Sequence, residues 1–296
     1  MIDWFIEPWG WGDFMWRAAL ATFLVTLICV PVGVFLYLRR LSLMSDAMSH
    51  TVLPGIVVAY LIVGSLSPAV LLPGAALAGI LAALGIARLG QVKSIRPDAA
   101  MATVFTSFFA LGVILLSTKA RHAHIDTDCV LFGNVLGVTN DTLVMLGVSS
   151  ILTILLVLVF WRYLSLSTFD STFAASIGIP VIVIHYGLMA AVSVGAVASF
   201  EAVGAVLVIA FFVVPAATAH HLSRTLSGML GSAFLVSILS AVIGLYASVY
   251  LNTSTAGAIV VTQGLVYFLI LFLKSGALRR GHDANYVRRE LPQDDL

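Results

Sequence analysis

Two side chains in this sequence could do chemistry where chemistry is costly. Asp46 and His50 stand four residues apart, in a stretch that follows one long apolar run and opens the next. On a helix that spacing puts a carboxylate and an imidazole one turn apart on one face. Pro54 and Gly55 follow at once, where a helix should bend and leave carbonyls free. Ionisable groups at membrane depth cost about 2.5–3.5 kcal/mol each on insertion scales and normally face a bundle interior or a pathway. The plainer alternative is that Asp46 caps a helix on its wet side and His50 is a satisfied interior histidine.

Other candidates are looser. His122 and His124 alternate with Asp126 and Asp128 as on one face of an extended strand; the loop either ligates a metal or faces water. Glu201 sits where the seventh apolar run opens, beside Gly204, Ala205, Ala210, Ala216, Ala217 and Ala219, small residues that allow close helix packing. It is a candidate for a gate. His220 and His221 read as interfacial, and His185 stays ambiguous. Cys29 and Cys129 form no CxxC and read as apolar filler. The methionines are scattered along the chain, which argues against a Cu(I) pathway. No GxxxxGK[ST] is present, so the chain does not itself cradle ATP, and no HExxH supports zinc proteolysis.

The elements that must position these groups are membrane spans. Of 296 residues 60% are hydrophobic and only 10% charged, with a mean hydropathy of +1.08. A soluble domain carries about 25% charged residues, so an all-α, polytopic integral membrane protein is expected. The net charge of +1 gives no reason to expect nucleic acid. Apolar windows recur near 16–38, 48–64, 69–88, 98–118, 142–162, 181–198, 203–220, 230–250 and 255–273, each near the length that spans a bilayer. Eight or nine helices result, because the second run is broken by Pro54-Gly55 and the pair around 199–202 is barely separated. Four tryptophans between Trp4 and Trp16 suit an interfacial N-terminal segment, and no basic n-region marks a signal peptide.

With nine spans, Arg39, Arg40, Arg88, Lys93, Arg96, Arg162, Arg224, Lys274, Arg279, Arg280, Arg288 and Arg289 share one side, while Arg17, Lys119 and Arg121 take the other. The excess predicts that the first side, with the C-terminus, is cytoplasmic. Residues 1–275 then form the transmembrane domain and 276–296 a polar, mobile tail. One cytoplasmic loop, 165–180, has its own pattern. Asp170 can cap a short helix, Phe173 and Ile177 share a face, and Gly178 with Pro180 stops it. Such a helix either lies on the membrane or docks a partner.

Together these motifs carry a resemblance. Arg39-Arg40-Leu41-Ser42-Leu43, then Asp46-Ala47-Met48-Ser49-His50 and Val52-Leu53-Pro54-Gly55, resembles the signature of permease subunits of bacterial ABC importers for zinc, manganese and iron. It continues through Leu131-Phe132-Gly133-Asn134-Val135-Leu136, the Phe169-Asp170…Gly178 loop and Val203-Gly204…Pro215-Ala216-Ala217-Thr218-Ala219, up to about residue 275. One position departs: the family usually has Gly before the acid, and here it is Ser45. The His122–Asp128 loop lies outside the pattern.

The resemblance implies a multi-pass permease of the bacterial cytoplasmic membrane, itself not an enzyme, with ATP hydrolysed by separate cytoplasmic ATPases. It implies a second permease protomer, surrounding lipid, and an extracytoplasmic metal-binding lipoprotein that delivers manganese, zinc or iron(II). No permanently bound cofactor is implied, since the metal is cargo. Asp46 and His50 would touch it in transit, and Asp170, Phe173, Ala174, Ile177 and Gly178 would couple to the ATPase. The competing reading is an ion-coupled secondary metal transporter using Asp46, His50 and Glu201 as a proton relay. That design needs inverted repeats, and no second Asp-xxx-His element is present.

Overall fold

Inside hydrocarbon every backbone polar group must be paired within the chain, which these apolar runs achieve as helices. The computed structural model of the chain describes residues 13–65, 68–92, 94–119 and 135–289, and among these all regular structure is helical. Helix α1 (Asp13–Leu38) leads to α2 (Met44–Thr51), α3 (Leu53–Val63), α4 (Pro68–Leu89) and α5 (Pro97–Lys119). A 3₁₀ turn (Val135–Gly137) precedes α6 (Asn140–Phe169) and the short α7 (Ser171–Ser176). Then come α8 (Val181–Val203), α9 (Ala205–Leu222), α10 (Leu226–Leu251) and α11 (Thr255–Arg289).

Eight stretches among the described residues are long and apolar enough to cross a membrane, with α2 and α3 together making one of them, Met44–Val63. Helix α4 has a shorter apolar length, Pro73–Leu89, but the path makes it cross as well. Its last turn reaches the start of α8, where Arg88 and Gln91 both donate to the Tyr186 hydroxyl at 3.1 Å. Its other end follows the far end of α3. The expected second and third runs therefore both traverse the bundle.

Basic side chains gather at one end. Arg39, just past α1, reaches the end of α6 and the start of α8. Tyr37 lies against His220 at the end of α9, ring centroids 5.4 Å apart, and Lys274 of α11 donates to the His221 carbonyl. Arg40 and Asp98, at the start of α5, line one cavity with Tyr37 and His220. This is the grouping that the Lys/Arg alternation demanded. The opposite end brings Asp13 and Arg17 beside residues 136–140.

The core forms where α1 and α9 cross, burying Phe35, Ile28, Phe211 and Phe212. Gly33 permits the approach, since a Cβ there would run into the Phe212 backbone. Outward faces of α6 and α11 expose Ile151, Leu155, Leu158, Leu265, Leu269 and Phe272, a surface that lipid tails satisfy at no cost. Cys29 is buried beside Ser199, as filler should be, whereas Cys129, Trp4, Trp9, Trp11 and the His122–Asp128 loop lie outside the described residues. The backbone of α11 stays helical through Arg289.

Two chain reversals matter for the site. Helix α1 ends in a Schellman motif: Leu41 N–H donates to Leu36 C=O at 2.9 Å and Arg40 N–H to Tyr37 C=O at 3.0 Å. The left-handed position usually filled by Gly is here Arg40, with φ 59°, a conformation costing an L-residue about 1–2 kcal/mol. The second reversal is Gly204, at φ 81° and ψ 158° between α8 and α9, a region essentially restricted to glycine. Both helices return to the Arg39 end, so the whole turn rests on that residue. Gly204→Ala is expected to cost about 1–3 kcal/mol of stability. A lower thermal midpoint of the detergent-solubilised protein would show it, and an unchanged midpoint would mean that the turn tolerates a side chain.

Candidate functional site

Helix α2 is short and two-faced: Met44, Ala47, Met48 and Thr51 are buried, which leaves Asp46 and His50 on the other side. Ser45, standing where Gly was expected, is buried and helical, and its hydroxyl donates to the Ser42 carbonyl at 3.1 Å. The turn thus absorbs the serine. The N-cap is Leu43, without a side-chain cap, and Asp46 lies inside the first turn. Capping therefore does not explain the acid.

The span breaks at Val52, two residues before the Pro54-Gly55 pair. Pro54 falls in the first turn of α3, where its missing N–H is tolerated. The His50 carbonyl, which Pro54 cannot serve, takes the Val52 N–H instead. Gly55 does a different job from the bend expected of it. It lies on Gly74 of α4, and a Cβ on either would strike the other's backbone; Gly112 of α5 likewise abuts Leu53 and Pro54. Three glycines thus clamp the broken span between α4 and α5, just beyond the acid–imidazole pair.

His50 Nε2 and Asp46 Oδ1 are 4.0 Å apart, with the side chains 31% and 54% exposed. The imidazole ring is held by Phe105 and Phe109 of α5, centroids at 5.2 and 5.5 Å. A tetrahedral ion about 2.1 Å from each donor would draw them to about 3.4 Å, a small side-chain rotation away. The protomer offers two donors here, and among the described residues no cluster of three or more His, Cys, Asp or Glu is found. Completing the coordination therefore needs water or a second chain.

The remaining candidates separate clearly. Glu201 lies in the last turn of α8, not at the mouth of α9, because the helix breaks at Gly204. It is 16 residues beyond His185 (201 − 185), about 24 Å along the helix toward the opposite end. His185 contacts Arg39, Nδ1 to Nη1 3.4 Å. Arg cannot accept, so Nδ1 does, and the ring is neutral with its proton on Nε2. His220 lies at a tilt against Tyr37 and His221 against Tyr267.

The methionines are not as scattered as their numbering suggests. Met44, Met101 and Met189 line one cavity of about 170 Å³ with His185 and Gln91. Their gathering is tertiary and left no periodic signal. The Arg39 charge beside His185 makes the cavity a poor place for a cation.

In the 165–180 loop, Asp170 accepts the Phe173 N–H at 2.8 Å, capping α7. Gly178, at φ 84°, closes a Schellman motif through Ile179 N–H to Ala174 C=O at 3.0 Å. Phe173 is 52% exposed and Ile177 53%. Phe169, which opens the motif quoted from the sequence and ends α6, is 65% exposed beside them. Ala174, by contrast, is buried within the chain.

The family described as "ABC 3 transport family" matches residues 12–274. The manganese transport system membrane protein MntC of Halalkalibacterium halodurans is 39% identical over 271 residues, 90% of each chain. The zinc transport system membrane protein TroD of Treponema pallidum is also 39% identical, over 89% of this chain and 76% of that one. Among solved structures, PsaBC from Streptococcus pneumoniae in complex with Fab superposes with a TM-score of 0.78 at 31% identity, covering 91% of this chain and 95% of that one.

Proposed function

The chain belongs to the ABC 3 transport family, and from that premise we propose that it is the membrane permease of an ATP-driven importer, passing a divalent transition metal between Asp46 and His50. The observation that carries this reading is the open pair itself. A carboxylate and an imidazole 4.0 Å apart lie early in a broken membrane span, on a face the protomer leaves uncovered. Hydrocarbon would penalise that exposure, whereas a second protomer bringing its own pair would turn it into a four-donor passage. Two ligands per chain bind weakly enough to release the ion.

The basic end, with α7, faces the cytoplasm in this reading, and the C-terminus lies there too. Separate ATPase subunits engage the exposed Phe169, Phe173 and Ile177, while a metal-binding lipoprotein delivers the ion at the opposite end. Manganese, zinc and iron(II) remain candidate cargoes: relatives named for manganese and for zinc are equally similar, and Irving–Williams preference does not choose between them. Vesicles carrying permease, ATPase and binding protein should take up metal when ATP is supplied inside the ATPase-facing compartment. Uptake driven by a proton gradient without ATP would instead identify an ion-coupled transporter.

Glu201 takes a lesser part in this scheme, as a cation-attracting group at the outer end of α8. Glu201→Gln is expected to lower uptake modestly, with the deficit shrinking as ionic strength rises, because surface attraction is screened over about 8–10 Å at physiological salt. Complete loss of uptake, insensitive to salt, would place Glu201 in the deep pathway instead.

A further inference from the structure

Arg39 is half-buried at the basic end of the bundle, and its partners among the described residues are hydroxyls and an imidazole. Its Nε donates to Thr168 Oγ1 at 3.0 Å and its Nη2 to Ser167 Oγ at 2.8 Å, both in the last turn of α6. Those hydroxyls donate their own protons back to the Leu164 carbonyl, at 2.6 and 3.2 Å, so their lone pairs are turned toward the guanidinium. The third arm meets His185 Nδ1 on α8 at 3.4 Å. Burial pushes the guanidinium's pKa down from its ordinary value, although an arginine stays charged. A planar fork is the group that can hold two adjacent acceptors at once; an ammonium cannot.

The position in the chain gives this contact its meaning. Two residues after Thr168, Asp170 caps α7. On the other side of Arg39, the strained Arg40 turn leads within four residues to α2, which carries Asp46 and His50. A backbone strained at φ 59° and pinned by two Schellman bonds is a stiff connector. We infer that Arg39 is a positioning residue that locks the α7-bearing end of α6 to the metal-site helix, so that movement of α7 is delivered to Asp46 and His50. This deepens the permease reading and rests on it. Arg39 touches no metal; it acts through the helix it holds.

The test is metal moved per ATP hydrolysed, measured on the full chain reconstituted with its ATPase and binding protein. Arg39→Lys keeps the charge but loses the fork, and the Ser167→Ala/Thr168→Val double variant removes the acceptors while leaving Arg39 in place. Both should retain the ATPase on co-purification and hydrolyse ATP at the wild-type basal rate. Both should transport about fivefold less metal per ATP, or worse, the low end of the range for coupling between sites. A wild-type ratio in the double variant overturns the inference, whether its absolute rates are normal or reduced together. That result leaves the permease reading standing. The permease reading falls on a different outcome, absence of ATP-driven uptake by the wild-type complex.

Discussion

Asp46→Asn should abolish most ATP-driven metal uptake while the permease still inserts and still holds its ATPase. The size of the effect separates the possible roles of the acid. If Asp46 served only to complement the dipole of α2, its loss would cost about 0.3–1 kcal/mol of helix stability, and uptake would barely change. It is not the N-cap, a position held by Leu43. As a ligand, its replacement by a neutral amide removes the anionic donor, and uptake should fall by at least the roughly 10- to 100-fold that even a supporting group is worth to a metal site. His50→Ala should behave alike. It also removes packing on Phe105 and Phe109, so ATPase co-purification is the control for folding. Normal metal uptake in both variants would mean that the ion does not pass between them.

Phe173→Asp should strip the complex of its ATPase. Phe173 and Ile177, on and just past the doubly capped α7, lie beside Phe169 at the end of α6 as exposed apolar side chains. Large apolar anchors of this kind commonly contribute 2 kcal/mol or more to a protein interface, about 30-fold in affinity. A carboxylate in place of the ring would have to be desolvated without a partner. The variant should insert and keep its fold, because Phe173 buries little within the permease itself. Uptake should be lost with uncoupled or absent ATP hydrolysis. If the ATPase co-purifies with this variant as it does with wild type, α7 is not the docking element.

Much of this architecture was legible in one dimension. The apolar windows map onto helices, eight stretches of which are long and apolar enough to cross a membrane among the described residues, because length and hydropathy directly encode the requirement to cross hydrocarbon. That Asp46 and His50 share one helix face was legible from their spacing, and α7 was legible because Asp170 is a local start signal and Gly178 a local stop. What escaped was set by contacts between distant segments. The break at Val52 precedes the proline, since Pro54 is accommodated in the first turn of α3, and the role of Gly55 depends on Gly74 across the interface. Glu201 was assigned to the following helix because the apolar runs on either side of 199–202 are barely separated, and only the backbone at Gly204 shows where the chain turns. Arg39 gave no sign of its partners, which lie 128 to 146 residues away. The three cavity methionines came from three different helices.

The central claim is that Asp46 and His50 touch the metal in transit, and zinc-edge X-ray absorption tests it most directly. The wild-type permease in lipid nanodiscs would be equilibrated with Zn²⁺ and compared with His50→Ala and Asp46→Asn. An oxygen/nitrogen first shell near 2.0–2.1 Å is expected, with outer-shell imidazole scattering that diminishes in His50→Ala and bound zinc that falls in Asp46→Asn. Identical spectra and identical zinc content in all three proteins would contradict it.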